Sequence, residues 1–220
     1  MDISYLFYLS SGLFLGWSLG ANDASNIFGT AVGSKMVRFT TIALISCFFV
    51  ILGAVYGGAG TSKTLGSLGA VNALAGAFMV ALSAALAVYS MARTGISVSS
   101  SQAVVGAIVG WNLYAGKPTD LETLARICST WTICPLLSGL VAVVLFMLFK
   151  RVLKSSHIHL LMQDQITRIG LIVTAAISAY ALGANNIANA VGMFVESCPF
   201  KPIKAGILGT FSPEQVLFFL

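Results

Sequence analysis

The charged residues of this chain are spaced so that long stretches contain none at all. A membrane-spanning helix needs about 20 mostly apolar residues, because each adds about 1.5 Å toward a hydrocarbon core about 30 Å thick. Six charge-free stretches reach that length, and we predict a membrane segment in each. They are residues 3–22, 39–62, 64–92, 94–116, 127–149 and 169–195.

The composition argues against the soluble classes of protein. Apolar residues make up 57% of the chain and charged residues only 9%, with a mean hydropathy of +0.92. Soluble domains carry about 25% charged residues. The 12 Lys and Arg are spread along the chain and do not form the dense basic face that nucleic-acid phosphates require. We therefore expect a multi-pass protein of the cell membrane, in contact with lipid and without a nucleic-acid partner.

Basic residues in short loops indicate the cytoplasmic side. The clearest basic cluster lies between Lys150 and Arg168, so we predict a cytoplasmic loop over 151–166. Residues 1–150 then form a first transmembrane repeat, and 167–220 begin a second, incomplete one. Within the first repeat, the stretches 64–92 and 94–116 either both cross the membrane or form a re-entrant pair.

Local sequence signals predict where two helices start. They also indicate how the last helix ends and whether a signal peptide is present. Thr119-Asp120-Leu121-Glu122 is typical of a capping box, and Ser212-Pro213-Glu214-Gln215 predicts a helix over 213–220. Eight residues rise only about 12 Å, so the last helix is expected to be cut short, in a fragment or in a naturally truncated product. Met1-Asp2-Ile3 offers no basic region before the first apolar run, so we expect no cleavable signal peptide.

The cysteines and histidines do not predict a metal site. The four cysteines lack a CxxC pair and a nearby histidine, so we interpret them as small packing thiols. His157 and His159 are interpreted as solvated loop residues. The cysteines are Cys47, Cys128, Cys134 and Cys198.

An internal repeat is the strongest functional signal. Residues 20–29 read Gly-Ala-Asn-Asp-Ala-Ser-Asn-Ile-Phe-Gly, and residues 183–192 read Gly-Ala-Asn-Asn-Ile-Ala-Asn-Ala-Val-Gly. The predicted topology sends the first copy inward and the second outward, which is typical of inverted-repeat transporters. The chain is therefore predicted to be an all-α polytopic membrane protein, with inverted repeats, broken helices and re-entrant half-helices.

The chemistry of the repeat predicts an ion site. Glycine and asparagine favour a break in each helix, which would expose carbonyl groups to a cation and N–H groups to an anion. The alternative is that the asparagines only hold helices together through amide hydrogen bonds. The candidate binding residues of the two copies are Asn22, Asp23, Asn26, Asn185, Asn186 and Asn189, of which Asn22, Asp23 and Asn185 form a candidate sodium site.

A second polar cluster precedes an apolar stretch at residues 95–106. Serines at a helix start cap it, and the free N–H groups there attract anions. We predict an oxyanion cradle here, and the alternative is a serine-rich cap without a ligand. The candidate residues are Ser99, Ser100, Ser101 and Gln102.

These motifs resemble the inorganic phosphate transporter family of sodium- or proton-coupled permeases, which includes sulfate permeases. The family signature GANDVANA-x-G occurs once in each half of family members, and residues 20–29 and 183–192 resemble its two copies. PVSTTHA-x-VG aligns in register with 97–106, and 131–136 resemble W-x-x-SP-L. The resemblance implies an all-helical inverted-repeat fold with the anion and its coupling ions near the midplane. It also implies that the motif asparagines and Asp23 line that site, and that Ser99, Ser100 and Ser101 contact the oxyanion.

Three departures from the family pattern bear on the substrate and on coupling. Asn186 replaces the usual second Asp, Ser97 replaces the usual Pro, and Gln102 replaces the usual His. Losing the second carboxylate weakens cation attraction or relieves repulsion against a doubly charged oxyanion. Sodium coupling becomes less certain, and sulfate becomes a more credible substrate.

The resulting hypothesis is a permease for inorganic phosphate, coupled to sodium or protons, that needs no cofactor. No bond in the substrate changes, so we expect a transporter and not an enzyme. The alternatives are a sulfate or other oxyanion permease, a passive channel, and a non-transporting remnant. An aspartyl protease needs two carboxylates, and the second copy offers an amide. A homodimer is one way to supply further helices, and the sequence leaves it open.

Overall fold

Apolar helices account for almost all of the chain that the structure describes. The computed structural model describes residues 3–66, 74–155, 159–194, 203–204 and 210–211. The predicted all-α class is confirmed. The helices are α1 (Ile3–Gly33), α2 (Phe39–Gly66), α3 (Leu74–Arg93), α4 (Ser100–Ala115), α5 (Leu121–Ser155) and α6 (Leu160–Val191), followed by a 3-10 turn (Gly192–Phe194) and two antiparallel two-residue strands, β1 (Ile203–Lys204) and β2 (Thr210–Phe211).

Four helices in the described ranges are long and apolar enough to cross a membrane, which agrees with a multi-pass membrane protein. They lie in α2, α3, α5 and α6. α1 has the length, at 31 residues, but carries the polar motif in its second half. The stretch 94–116, for which crossing was one of two alternatives, contains only α4, which has 16 residues and rises about 24 Å.

A tight turn connects α3 to the short helix α4. Gly95 ends α3 with a positive φ of 79°, and the N–H of Ile96 donates to the carbonyl of Met91 at 3.1 Å, as in a Schellman motif. Ser99 then caps α4, its hydroxyl accepting from the N–H of Gln102 at 3.4 Å. α3 and α4 pack side by side, and α4 is too short to cross, which agrees with the re-entrant alternative.

Two buried clusters hold the helices together. The larger one joins α1, α3, α4 and the end of α6 around Leu15, Ala81, Ile108 and Phe194. The smaller one joins α1, α2 and α6, and brings Ile42 together with Ala175. Six of the 15 buried residues of the larger cluster are alanines, whose short side chains let the backbones approach closely.

The directions of the helices follow from their contacts. A Cβ on Gly12 would lie 3.0 Å from the ring of Phe194. Farther along, Asp23 contacts Asn186, so α1 and α6 are antiparallel. Ile42 shares a cluster with Ala175, and Val50 lies against Gly183, so α2 and α6 run in the same direction. The two motif copies therefore point in opposite directions.

α5 begins at a helix cap, although not at the residue that we predicted. Asp120, and not Thr119, is the cap: its carboxylate accepts from the N–H of Glu122 at 3.0 Å and from the N–H of Thr123 at 3.3 Å. The Thr119 hydroxyl instead accepts from the amide of Asn112 at 3.1 Å. The Thr123 hydroxyl and N–H hold the pKa of Asp120 below its ordinary value of 3.8.

We expect the start of α5 to fray in acid. Because the folded pKa of Asp120 is lowered, the capping contribution is fully present above pH 3.8 and is lost as the pH falls through the lowered pKa. Asp120→Ala should cause the same fraying at neutral pH. Hydrogen exchange at the amides of Glu122 and Thr123 measures this, and unchanged exchange in the variant contradicts it.

Other predictions need correction or remain open. The loop at 151–166 is shorter than predicted, since α5 continues to Ser155 and α6 begins at Leu160. Cys47, Cys128 and Cys134 are free but exposed, so they are not packing thiols. His159 caps α6, its Nδ1 accepting from the N–H of Leu161 at 3.4 Å. The predicted helix at 213–220, together with His157 and Cys198, lies outside the described residues.

Candidate functional site

The two motif copies lie within continuous helices. The predicted break is wrong in both, because α1 is helical from Ile3 to Gly33 and α6 from Leu160 to Val191. Asn22 does not compete for the backbone of its own helix, since its side chain bonds to a different segment. Four motif side chains bond to groups outside their own helix, so the helices have no need to open. They are Asn22, Asp23, Asn186 and Asn189.

Asp23 is the centre of a buried polar cluster. Its side chain is only 5% exposed. One carboxylate oxygen, Oδ1, accepts from the amide of Asn22 at 2.9 Å. The other, Oδ2, accepts from the Ser100 hydroxyl at 3.1 Å and from the Asn186 amide at 2.7 Å. α1, α4 and α6 each supply a donor, so the carboxylate joins three elements that lie far apart in the sequence.

Asn22 holds the segment that leads into α4. Its Nδ2 donates to the carbonyl of Val98 at 2.8 Å, and its Oδ1 accepts from the N–H of Val98 at 3.2 Å. This pair of bonds places the extended residues before Ser99 against the middle of α1. The first turn of α4 is thereby aimed at Asp23, and its N-terminal N–H groups lie at the cluster.

α6 contacts the first turn of α4 as well as Asp23. The Asn189 side chain is 1% exposed, and its Nδ2 donates to the hydroxyl of Ser101 at 3.3 Å. Ser100 and Ser101 thus each bond to one motif copy, Ser100 through Asp23 and Ser101 through Asn189. The serine cluster and the repeated motif, predicted separately, form one site.

Some predicted site residues lie outside this cluster. Asn26, Ser99 and Gln102 are exposed, although Ser99 and Gln102 begin α4 beside it. Asn185 does not join Asn22 and Asp23 directly, because its Nδ2 donates to the Oδ1 of Asn186 at 3.5 Å. The three residues of the candidate sodium site are therefore not gathered around one point.

Asp23 and Asn189 are buried at the centre of the cluster, while Asn186 and Ser101 are partly exposed. A cavity of about 320 Å³ lies between α1 and α6 and has a mostly apolar lining that includes Leu13, Trp17 and Ile187. Apart from the indole N–H of Trp17, the side chains of this lining offer no donor to an anion. Within the described ranges, no three His, Cys, Asp or Glu side chains come together. The polar groups of the cluster are amides, hydroxyls and one carboxylate.

Equivalent faces of the two motif copies differ in exposure, because another helix packs against one of them only. In α6, the face formed by Tyr180, Gly183 and Ala184 packs against α2, where a Cβ on Gly183 would overlap the carbonyl oxygen of Val50. The equivalent face of α1 is Trp17, Gly20 and Ala21, which is exposed, and a Cβ on Gly20 would meet nothing within 4 Å. The glycine of the second copy therefore permits close helix packing.

Two contributors to the site were missed by the sequence analysis. The backbone of Val98 takes part through both its N–H and its carbonyl, and no side-chain pattern indicates that. Gly53 lets α2 approach α6, since a Cβ there would overlap the carbonyl of Tyr180. The glycines near the middle of α2 were a signal for this approach.

Removing the Asn22 side chain should release the segment before α4. In Asn22→Ala, both bonds to Val98 are lost, at a cost of about 1–3 kcal/mol of local stability. Hydrogen exchange at the Val98 amide should accelerate at least about tenfold. Asn26→Ala, at the exposed position one turn along, is the matched control and should leave that amide unchanged. Equal exchange in both variants would contradict the arrangement.

The fold and the site together define an integral membrane protein whose antiparallel motif copies meet at a buried polar centre. The phosphate transporter family model matches residues 19–201, which include both motif copies and the start of α4. The chain therefore belongs to the phosphate transporter family. This confirms the resemblance drawn from the motifs.

Individual relatives agree with the family. The chain is 36% identical to the sulfate permease CysP of Bacillus subtilis, over 83% of this chain and 52% of that protein. It is 29% identical to the chloroplastic inorganic phosphate transporter 2-1 of Arabidopsis thaliana, over 66% of this chain and 27% of that protein. It is 30% identical to the sodium-dependent phosphate transporter 1 of Mus musculus, over 60% of this chain and 21% of that protein.

The chain thus spans about half the length of the bacterial sulfate permease and about a quarter of the other two relatives. No solved structure is a significant match.

Proposed function

We propose that this chain acts in a secondary-active permease that moves inorganic phosphate across the cell membrane, coupled to sodium or protons. Membership of the phosphate transporter family supports this proposal. The single observation that carries it is the contact between the two motif copies at Asp23, next to the N-terminus of α4.

The donors around Asp23 suit a tetrahedral oxyanion. The N-terminus of a helix favours negative charge, and serine hydroxyls and asparagine amides donate hydrogen bonds to oxyanion oxygens. In the proposed transport cycle, Ser100, Ser101 and Asn189 turn from their present partners toward the anion. The carboxylate of Asp23 opposes an anion at that place, so a sodium ion or a proton enters with it and offsets the charge.

The burial of Asp23 and Asn189 is consistent with alternating access. Asp23 and Asn189 are buried, so an anion reaches them only when α1, α4 and α6 move apart on one side. In the proposed cycle the site then closes and reopens toward the other side, by relative movement of the repeat units. The substrate leaves chemically unchanged, as in transport and unlike enzymatic catalysis.

Sulfate is the second candidate substrate, because the identity to the sulfate permease is 36% over most of this chain. The two anions differ in one group that the site can distinguish through hydrogen bonding. Hydrogen phosphate carries an O–H donor, and sulfate at neutral pH does not. A carboxylate has about four acceptor positions, and Asn22 and Asn186 keep two of them when Ser100 turns toward the anion. The free positions favour the phosphate O–H, which is why we place phosphate first.

The test is uptake into liposomes that contain the purified chain. We expect saturable uptake of labelled phosphate, driven by an imposed sodium or proton gradient, with unlabelled sulfate as a weaker competitor. Stronger competition by sulfate would select the second candidate. Uptake that does not saturate and ignores both gradients would indicate a passive channel, and uptake equal to protein-free liposomes would contradict transport by this chain.

A further inference from the structure

The two residues that meet at the centre of the site occupy the same position in the two motif copies. Asp23 is the fourth residue of the first copy, and Asn186 is the fourth residue of the second. Their side chains contact at 2.7 Å. The preceding asparagines also behave alike, since Asn22 donates to Asp23 at 2.9 Å and Asn185 donates to Asn186 at 3.5 Å. The two motif copies thus make equivalent contacts at the centre of the site. The first copy contributes a carboxylate there and the second an amide.

The amide at position 186 changes whether the centre of the site requires a cation. Two carboxylates at this contact would repel each other, and they would need a cation or a shared proton between them. An amide instead offers a donor, and Asn186 Nδ2 bonds to the same Asp23 oxygen that accepts from Ser100. On its other side, the Oδ1 of Asn186 accepts from the amide of Asn185 at 3.5 Å. Both nearest groups at that oxygen are donors, whereas sodium requires acceptors.

We propose that the Asn186 amide takes the place of a cation between the two motif copies, so that this centre is complete without sodium. Asn186 is thereby the residue that determines cation dependence, and a carboxylate at 186 creates a sodium requirement that the wild-type centre lacks. The inference rests on the proposed transport site, and it selects the proton over sodium as the coupling ion at Asp23.

The test compares thermal stability of the purified full chain in sodium chloride and in choline chloride, at the same pH and ionic strength. The wild type should have the same melting temperature in both salts, within about 1 °C. Asn186→Asp should melt roughly 5–10 °C lower in choline and recover in sodium. The exchanged variant Asp23→Asn with Asn186→Asp restores one carboxylate and one amide, and it should be as indifferent to sodium as the wild type.

The controls separate this centre from general salt effects. Asp164→Asn removes an exposed carboxylate paired with Arg168 at 3.2 Å and should show no sodium effect. Sodium stabilisation of the wild type as large as that of Asn186→Asp would overturn the proposal, as would an Asn186→Asp chain that is indifferent to sodium. Melting is read without any uptake, so a chain that fails to transport phosphate still gives a decisive result here.

Discussion

Gly183→Ala is expected to destabilise the fold strongly, whereas Gly20→Ala, at the same position of the other motif copy, is not. A Cβ on Gly183 overlaps the backbone of Val50, so α2 must move away from α6. Overpacking of this kind costs about 1–3 kcal/mol, and more when the obstacle is backbone that cannot rotate aside. At 2–4 °C per kcal/mol, the melting temperature should fall by about 5–10 °C.

The matched variant Gly20→Ala separates the effect of helix packing on stability from the effect of helix propensity. Gly20 lies in the interior of α1, and a Cβ there meets nothing within 4 Å. Alanine favours helix over glycine by about 1 kcal/mol, so Gly20→Ala should melt at or slightly above the wild-type temperature. Thermal melting of the detergent-solubilised variants, followed by intrinsic fluorescence, measures the difference. Equal destabilisation by the two variants would contradict the close contact between α2 and α6.

Asp23→Asn is expected to abolish most phosphate uptake while leaving the fold intact. Asparagine fills the same volume and keeps one acceptor oxygen, so the bonds from Ser100 and Asn186 to that oxygen can persist while the bond from Asn22 is lost. The charge is lost, however, and an amide cannot take up the coupling proton as a carboxylate can. Gradient-driven uptake should fall accordingly.

The control for this prediction is Asp164→Asn, which removes one carboxylate from an exposed pair with Arg168. Exposed pairs of this kind contribute little, so its uptake and melting should match the wild type. Wild-type uptake by Asp23→Asn would remove Asp23 from the coupling role. Loss of uptake together with loss of the melting transition would instead mean that the carboxylate is needed for folding.

The sequence predicted the helices well because their signals are local. Charge-free length placed α2, α3, α5 and α6, and the serines before residue 102 placed the start of α4. The repeat and the serine cluster together supplied six residues that form one hydrogen-bonded cluster, namely Asn22, Asp23, Ser100, Ser101, Asn186 and Asn189. Polar residues inside a membrane need partners, so a duplicated polar motif predicts that its copies meet.

The errors came from the same motif and have a common cause. Glycine and asparagine weaken a helix in isolation, which led to the predicted breaks. In the structure Gly183 serves close packing and Asn22 bonds to Val98, so tertiary contacts override local preference. A partner 76 residues away in sequence cannot be found from the motif alone. The exposed position of Asn26, against the buried Asn189, likewise depends on which helix lies beside each copy.

The contact between Asp23 and Asn186 is tested most directly by a double-mutant cycle. Asp23→Ala, Asn186→Ala and their combination are compared by equilibrium unfolding in mixed micelles, with Asp23→Ala and Asp164→Ala as the distant pair. We predict a coupling energy of about 1–3 kcal/mol for the first pair and additive effects for the second. Effects of Asp23→Ala and Asn186→Ala that add within about 0.3 kcal/mol would show that the two motif copies do not meet.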